Sequence, residues 1–155
     1  NLKPFEEVAN VGFVAYAGPG TSGVGEILID GIKFGIADRD YYEVLPDGTK
    51  KTEFTWDEAM EIEKKTNGKW RLPTPQELNA MVAAFGYNDE GVFDGDLFAK
   101  RLGLTTDEDG YGHFWSRTAN SQPSARFLYF NGTYVGPQDN NTKVHGFTVR
   151  CVAQL

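Results

Sequence analysis

The stretch Ala125-Arg126-Phe127-Leu128-Tyr129-Phe130-Asn131-Gly132-Thr133-Tyr134-Val135 decides how this chain is read. Asn-Gly between two apolar, aromatic runs is the strongest short-range signal for a β-hairpin, because a type I′ turn needs φ > 0 at both central residues. With Asn131-Gly132 as a two-residue loop, Phe130 pairs with Thr133, Tyr129 with Tyr134, and Leu128 with Val135. Side chains alternate across a strand, so the hairpin has two different faces. One carries Arg126, Leu128, Phe130, Thr133 and Val135 and is the predicted core face. The other carries Phe127, Tyr129 and Tyr134. An antiparallel sheet commonly leaves one face wet, so three aromatics there predict a contact surface. The competing reading buries both faces, since large aromatics are often simply core.

Phe114-Trp115-Ser116-Arg117-Thr118-Ala119-Asn120 precedes this hairpin, and Gly146-Phe147-Thr148-Val149-Arg150-Cys151-Val152 follows it. Two helices are announced upstream. Thr55-Trp56-Asp57-Glu58 has capping-box spacing, and its helix runs to Lys64-Lys65 and stops at Asn67-Gly68. Thr74-Pro75-Gln76-Glu77 is a second capping box with Pro at the first helical position, followed by Leu78, Met81, Val82 and Phe85 at helical spacing up to Gly86. A third, shorter helix is predicted from about Leu97 to Leu102, bounded by Asp96 and Gly103. Nearer the start, Val11–Tyr16 reads as a strand, and Asp30-Gly31 closes a hairpin between Ile27-Leu28-Ile29 and Ile32–Ile36. Asp38–Gly48 is an acidic connection ending in the turn Pro46-Asp47-Gly48. Strands, then helices, then strands give an α+β domain.

A chain of 155 residues is long enough for one sizeable core, and 14% aromatic content fits a folded domain. The net charge of −7 argues against sequence-independent nucleic-acid binding and against a basic membrane-surface face. No apolar run approaches the ~20 residues of a membrane span. No signal-peptide pattern is visible, and the chain begins at Asn1, as a processed or trimmed fragment would. Cys151 is the only cysteine, so the fold holds by packing without an intrachain disulfide.

Most motifs that spell chemistry lack the context chemistry needs. Gly18-x-Gly20-x-x-Gly23 matches the dinucleotide fingerprint, but a strand-like run follows it where a helix N-terminus is required, so it reads as a Gly-rich turn. Asp89, Glu90, Asp94 and Asp96, with Asp107, Glu108 and Asp109, offer oxygen ligands compatible with a weak Ca²⁺ site. Neither cluster has the spacing of an EF-hand loop, so both read as solvated acidic loops. His113 and His145 are the only histidines, and nothing beside them spaces like a zinc site. Cys151 sits in an apolar strand with Phe147, Val149 and Ala153 on its face, the setting of an inert thiol. No metal ligands and no catalytic residues are assigned, and no cofactor is expected.

Trp56-Asp57-Glu58-Ala59, then Lys69-Trp70-Arg71-Leu72-Pro73-Thr74-Pro75-Gln76-Glu77-Leu78, with Phe114-Trp115-Ser116 and Gly146–Val152 at the end, resembles the bacterial and phage C-type-lectin-fold domains. These include the major paralogous surface domains, the variable proteins of diversity-generating retroelements and, more distantly, formylglycine-generating enzymes. The resemblance covers 55–152, within a single domain spanning 1–155 whose first 54 residues are read as N-terminal strands. It implies a C-type-lectin-like fold, with two helices flanking a small twisted antiparallel sheet with long loops. Laid on the variable-protein pattern, Leu128, Phe130, Val135, Lys143, Gly146, Val149 and Arg150 fall on scaffold positions. Arg117, Ser121, Pro123, Phe127, Tyr129, Tyr134, Asp139, Asn140, Thr142, Val144 and His145 fall on displayed ones, and with Trp115 form the expected ligand-binding set. Tyr and Phe there give contact area at low rotamer entropy.

The implied function is a non-catalytic module recognising a protein or glycan on another surface, displayed in several copies on a cell surface or virion tail, without nucleic acid or a membrane span. A fixed-specificity glycan-binding adhesin is the alternative. The sugar motifs of calcium-dependent animal lectins are absent, Gln122-Pro123-Ser124 being a partial echo. An enzyme of the formylglycine-generating kind is the third reading, and the paired active-site cysteines it needs cannot exist here. Arg71 and Arg150 are expected to be structural, paired with buried carboxylates or carbonyls.

Overall fold

A computed structural model describes residues 26–154 and, before them, two short paired strands, β1 (Phe5–Glu7) and β2 (Phe13–Ala15). The Gly18–Gly23 turn lies outside the described residues, and the strand read over Val11–Tyr16 is described over Phe13–Ala15. The fold is α+β, built from helices and small antiparallel sheets, with no barrel among the described residues. No helix among them is long and apolar enough to cross a membrane.

Local signals form the first half. β3 (Glu26–Ile29) and β4 (Ile32–Ile36) pair around Asp30 and Gly31, whose φ values of 50° and 78° are those of the expected I′ turn. β5 (Glu43–Val44) and β6 (Lys50–Lys51) flank the Pro46-Asp47-Gly48 turn. Thr55 and Glu58 form the expected capping box at the start of α1 (Trp56–Met60). The helix is interrupted at Glu61 and resumes as α2 (Ile62–Lys65), where one continuous run is expected from sequence. Asn67 and Gly68 then take positive φ and stop it. The second capping box opens α3 (Pro75–Phe85), and Asp94 caps α4 (Gly95–Leu102), which Gly103 ends in the left-handed conformation.

The second half is a three-stranded sheet of β7 (Gly112–Ala119), β8 (Ser124–Phe130) and β9 (Val135–Thr142) in the order β7-β8-β9. β10 (Val152–Gln154) returns to pair with β4, so the end of the chain closes onto the first hairpin. Phe114, Leu128 and Phe130 enter one apolar cluster with Leu78, Met81 and Val82 of α3 and Phe98 and Leu102 of α4. Trp115, Ala125 and Phe127, on the opposite side of the same sheet, enter a second cluster with Phe54, Ala59, Ile62, Trp70 and Cys151. The central sheet is therefore packed on both faces.

The Asn-Gly hairpin forms, but in a different register from the predicted one. Phe130 pairs with Val135 and Tyr129 with Gly136, leaving a four-residue loop, 131–134. Neither Asn131 nor Gly132 has positive φ. Instead the Asn131 side-chain oxygen accepts from the backbone N–H of Thr133 at 3.0 Å and of Tyr134 at 2.8 Å, closing the loop as an Asx turn. The Gly132 carbonyl accepts from Gly95 N–H at 2.9 Å, tying the loop to the start of α4. A tertiary bond at the loop's centre has overridden the local turn preference.

Two arginines stitch the layers, as expected. Glu77 grips Arg71 through both carboxylate oxygens, at 2.7 and 2.8 Å. Arg150, fully buried, pairs with Asp40 and donates to the carbonyls of Ala37, Leu102 and Gly103.

Candidate functional site

The strand β7 alternates Gly112, His113, Phe114, Trp115, so His113 lies on the same face as Trp115. Register places His113 opposite Tyr129 and Trp115 opposite Phe127. At the Trp115 end this face is covered. The Trp115 indole N–H donates to the Phe54 carbonyl at 2.8 Å with no exposure, and Phe127 is 6% exposed in the same cluster. Neither is available to a ligand, which corrects both as expected contact residues. The physical reason is the second core layer. The loop carrying Phe54 and the helix α1 roof this half of the sheet, so the hairpin's second face is not the uniformly wet one read from alternation.

At the His113 end the same face opens. Ring contacts run in sequence from Tyr134 to Tyr129 (5.9 Å between centroids), to His113 (5.2 Å), to Phe147 (5.1 Å) and to His145 (5.9 Å). Tyr111 joins the row edge-on against Tyr129. Tyr134 is 51% exposed and Tyr111 41%, His145 is exposed, and His113, Tyr129 and Phe147 are half-buried. Buried Phe127 stacks on His113 behind the row, so the face is graded from Phe127 to exposed Tyr134. The two ends of the row, Tyr134 and His145, are thus open to solvent, and the three rings between them are partly so.

Beside the row lies a recess of about 300 Å³, lined by the exposed carboxylates Glu53 and Asp107, by Tyr111, His113 and Phe147, and by Thr105, Thr106, Gly146 and Thr148. The Asp107 Oδ1 accepts from the backbone N–H of Asp109 and of Tyr111, both at 2.9 Å, which fixes the loop and orients its carboxylate. Among the described residues neither Glu53 nor Asp107 is in an ion pair, and no Lys or Arg lines the recess. Burial pushes the His113 imidazole below its ordinary value, while Asp107 and Glu53 oppose that shift. Nothing here assembles a metal centre: no group of three or more His, Cys, Asp or Glu side chains among the described residues can hold an ion. Cys151 is fully buried, and burial pushes its thiol up to about 12.

The expected contact residues thus divide. Tyr129, Tyr134 and His145 come together in the aromatic row. Val144 is 79% exposed on the turn before His145. Asp139 and Asn140 sit on β9, with the Asp139 carboxylate beside the bare backbone of Gly136 opposite Tyr129. Ser121 and Pro123 are exposed on the β7–β8 turn, where Pro123 accepts from Lys143 N–H, and Thr142 is exposed opposite Ser124 at the same end. Arg117 lies apart from the row, with its side chain 3.7 Å from Glu63. Tyr111, His113, Phe147, Glu53 and Asp107 are absent from the expected set. Alternation from Trp115 back to His113 would have found His113, but Glu53 and Asp107 reach the recess only through tertiary structure. No protein-family model matches this chain, and no curated protein matches it either.

Proposed function

We propose that this chain is a non-catalytic ligand-binding module of the C-type-lectin-like kind, related to the variable proteins of diversity-generating retroelements. In this reading the aromatic row running from Tyr134 to His145 is the heart of its contact surface. The observation that carries the reading is that row: a sheet packed on both faces nonetheless leaves five ring side chains in mutual contact at its open end. Tyrosine and histidine supply wide, stiff contact area with polar edges, the property that suits a recognition surface. The neighbouring displayed positions Asp139, Asn140 and Val144 would extend it, and several copies on a cell surface or virion tail would add avidity.

The test is binding of the labelled chain to a panel of bacterial cells, comparing wild type with Tyr134→Ser combined with His145→Ser. Loss of about tenfold or more in affinity, with the melting temperature unchanged, supports the surface, since exposed substitutions usually shift stability by no more than ~0.5 kcal/mol. Undiminished binding overturns it. The genomic neighbourhood tests diversification separately: a reverse transcriptase beside a near-copy of the 3′ codons, differing at adenines, is the expected finding.

A fixed glycan specificity is the second reading, favoured by the hydroxyl- and carboxylate-lined recess beside the rings. Glycan-array binding that survives mutation of Tyr134 but not of the recess would establish it. An enzyme of the formylglycine-generating kind is disfavoured because the single thiol is sealed in the core.

A further inference from the structure

The recess beside the aromatic row has a specific chemical character. Its two carboxylates, Glu53 and Asp107, have no cationic partner among the described residues. An apolar ligand closing over them would strip water from two unpaired anions without compensation, and a neutral hydroxyl ligand compensates through hydrogen bonds but leaves the charge unbalanced. An anionic ligand would meet like charge as well. A cation compensates for that desolvation directly. Of the rings lining it, Phe147 is stacked between His113 and His145, while Tyr111, 41% exposed, offers a face of the kind that attracts a cation within about 6 Å of the centroid. Asp107 is held in place by two backbone N–H groups, so little ordering is needed on binding. The volume of about 300 Å³ is at the lower end for small-molecule clefts and accommodates a single short side-chain end. A chain with a net charge of −7 also steers cations towards its surface.

We propose that this recess is a subsite for an organic ammonium group, of the size of a lysine side-chain end, borne by the ligand. The proposal rests on the reading of the aromatic row as a recognition surface and gives it a charge preference: the row supplies area, and the recess reads one positive charge. The same chemistry arrives as a lysine on a protein partner or as a free amine.

The experiment is an NMR titration of the full chain with N-acetyl-lysine methylamide, its Nε-acetylated neutral counterpart and n-butylammonium chloride, following the ring resonances of Tyr111, His113 and Phe147. Saturable shifts with the lysine compound, about tenfold weaker with the acetylated one, are expected. Equal affinity for n-butylammonium means that the ammonium alone is read, and a clear preference for the lysine compound identifies a protein side chain. Both uphold the subsite. Glu53→Gln combined with Asp107→Asn should abolish the shifts without lowering the melting temperature, since asparagine retains the Oδ1 acceptor that closes the 107–111 loop. Equal binding of the acetylated compound, no saturable shift, or saturation of the same resonances by monosaccharides and not by the amines would each overturn the proposal. A negative amine titration alongside cell binding that depends on Tyr134 sinks the subsite alone. A positive titration with cell binding indifferent to Tyr134 sinks the broader surface and leaves the subsite.

Discussion

Arg150 and Asp40, 110 positions apart, meet at 2.9 Å in the interior, and the same guanidinium donates to the last carbonyls of α4. One side chain thus joins the C-terminal segment, the connection after β4 and the C-terminus of a helix. A cation at a helix C-terminus satisfies carbonyls that have no intrahelical partner and complements the dipole. Burial pushes the Arg150 guanidinium below its ordinary value, with Asp40 opposing that shift. Arg150→Ala would strand Asp40 and three carbonyls together. The expected loss is about 3–5 kcal/mol, as for other broken buried pairs, read as a fall in the urea midpoint. A loss below 1 kcal/mol would mean that water replaces the guanidinium at little cost.

The docking of the hairpin loop on α4 yields a second prediction. A Cβ built on Gly95 would stand 1.9 Å from the Asn131 carbonyl oxygen, a backbone atom that cannot swing aside, whereas nothing lies within 4 Å of one built on Gly132. Gly95→Ala should therefore destabilise by about 1–3 kcal/mol or more, and Gly132→Ala by a few tenths at most. A genuine I′ turn would reverse the order, because alanine at a positive-φ position is strained. Paired denaturation curves of the two variants decide between the loops.

Features encoded within four or five residues were legible. The capping boxes at Thr55 and Thr74, the Asp30-Gly31 turn and the stop at Asn67-Gly68 all form because each motif satisfies its own backbone groups locally. The register of the Asn131 loop was not legible, since Gly95 lies 36 positions before it and decides the geometry through a bond the local sequence does not mention. The break at Glu61 carries no glycine or proline to announce it. Alternation correctly put Phe127 and Tyr129 on one face, whereas Tyr134, predicted as the strand partner of Tyr129, lies in the 131–134 loop and meets the Tyr129 ring from there, and alternation said nothing of what roofs that face. Only the fold reveals that Phe54 covers Trp115 and Phe127 while Tyr134 is left open. For the same reason Glu53 and Asp107, 54 positions apart, give no joint signal until their segments meet around His113.

The graded face makes Phe127 and Tyr134 energetically unlike, although the predicted register put them on one side of the hairpin. Phe127 touches Trp115 and Phe147 within the core, with centroids 6.1 and 4.7 Å away. Phe127→Ala should cost about 3–5 kcal/mol, the range for truncating a buried phenylalanine. Tyr134→Ala should stay within about 0.5 kcal/mol. Similar losses in both would show that the face is uniformly covered or uniformly open.

His113 predicts a pH dependence whose sign follows from its burial. The ring is flanked by Phe127, Tyr129 and Phe147, with Asp107 and Glu53 across the recess and His145 beyond Phe147. Loss of water outweighs the carboxylates, so the folded-state pKa lies below the ordinary 6.5. In the interval between those values the unfolded chain binds more protons than the folded one, and stability rises with pH there. The contribution is complete above the unfolded pKa, is lost as pH falls towards the folded pKa, and is constant below it. Urea midpoints measured at about pH 7.5 and about pH 5 should therefore drop more in wild type than in His113→Gln, with His145→Gln as the exposed control. An equal drop in all three proteins would assign the loss to other groups, and a smaller drop in wild type would mean that the carboxylates dominate and hold the imidazole charged.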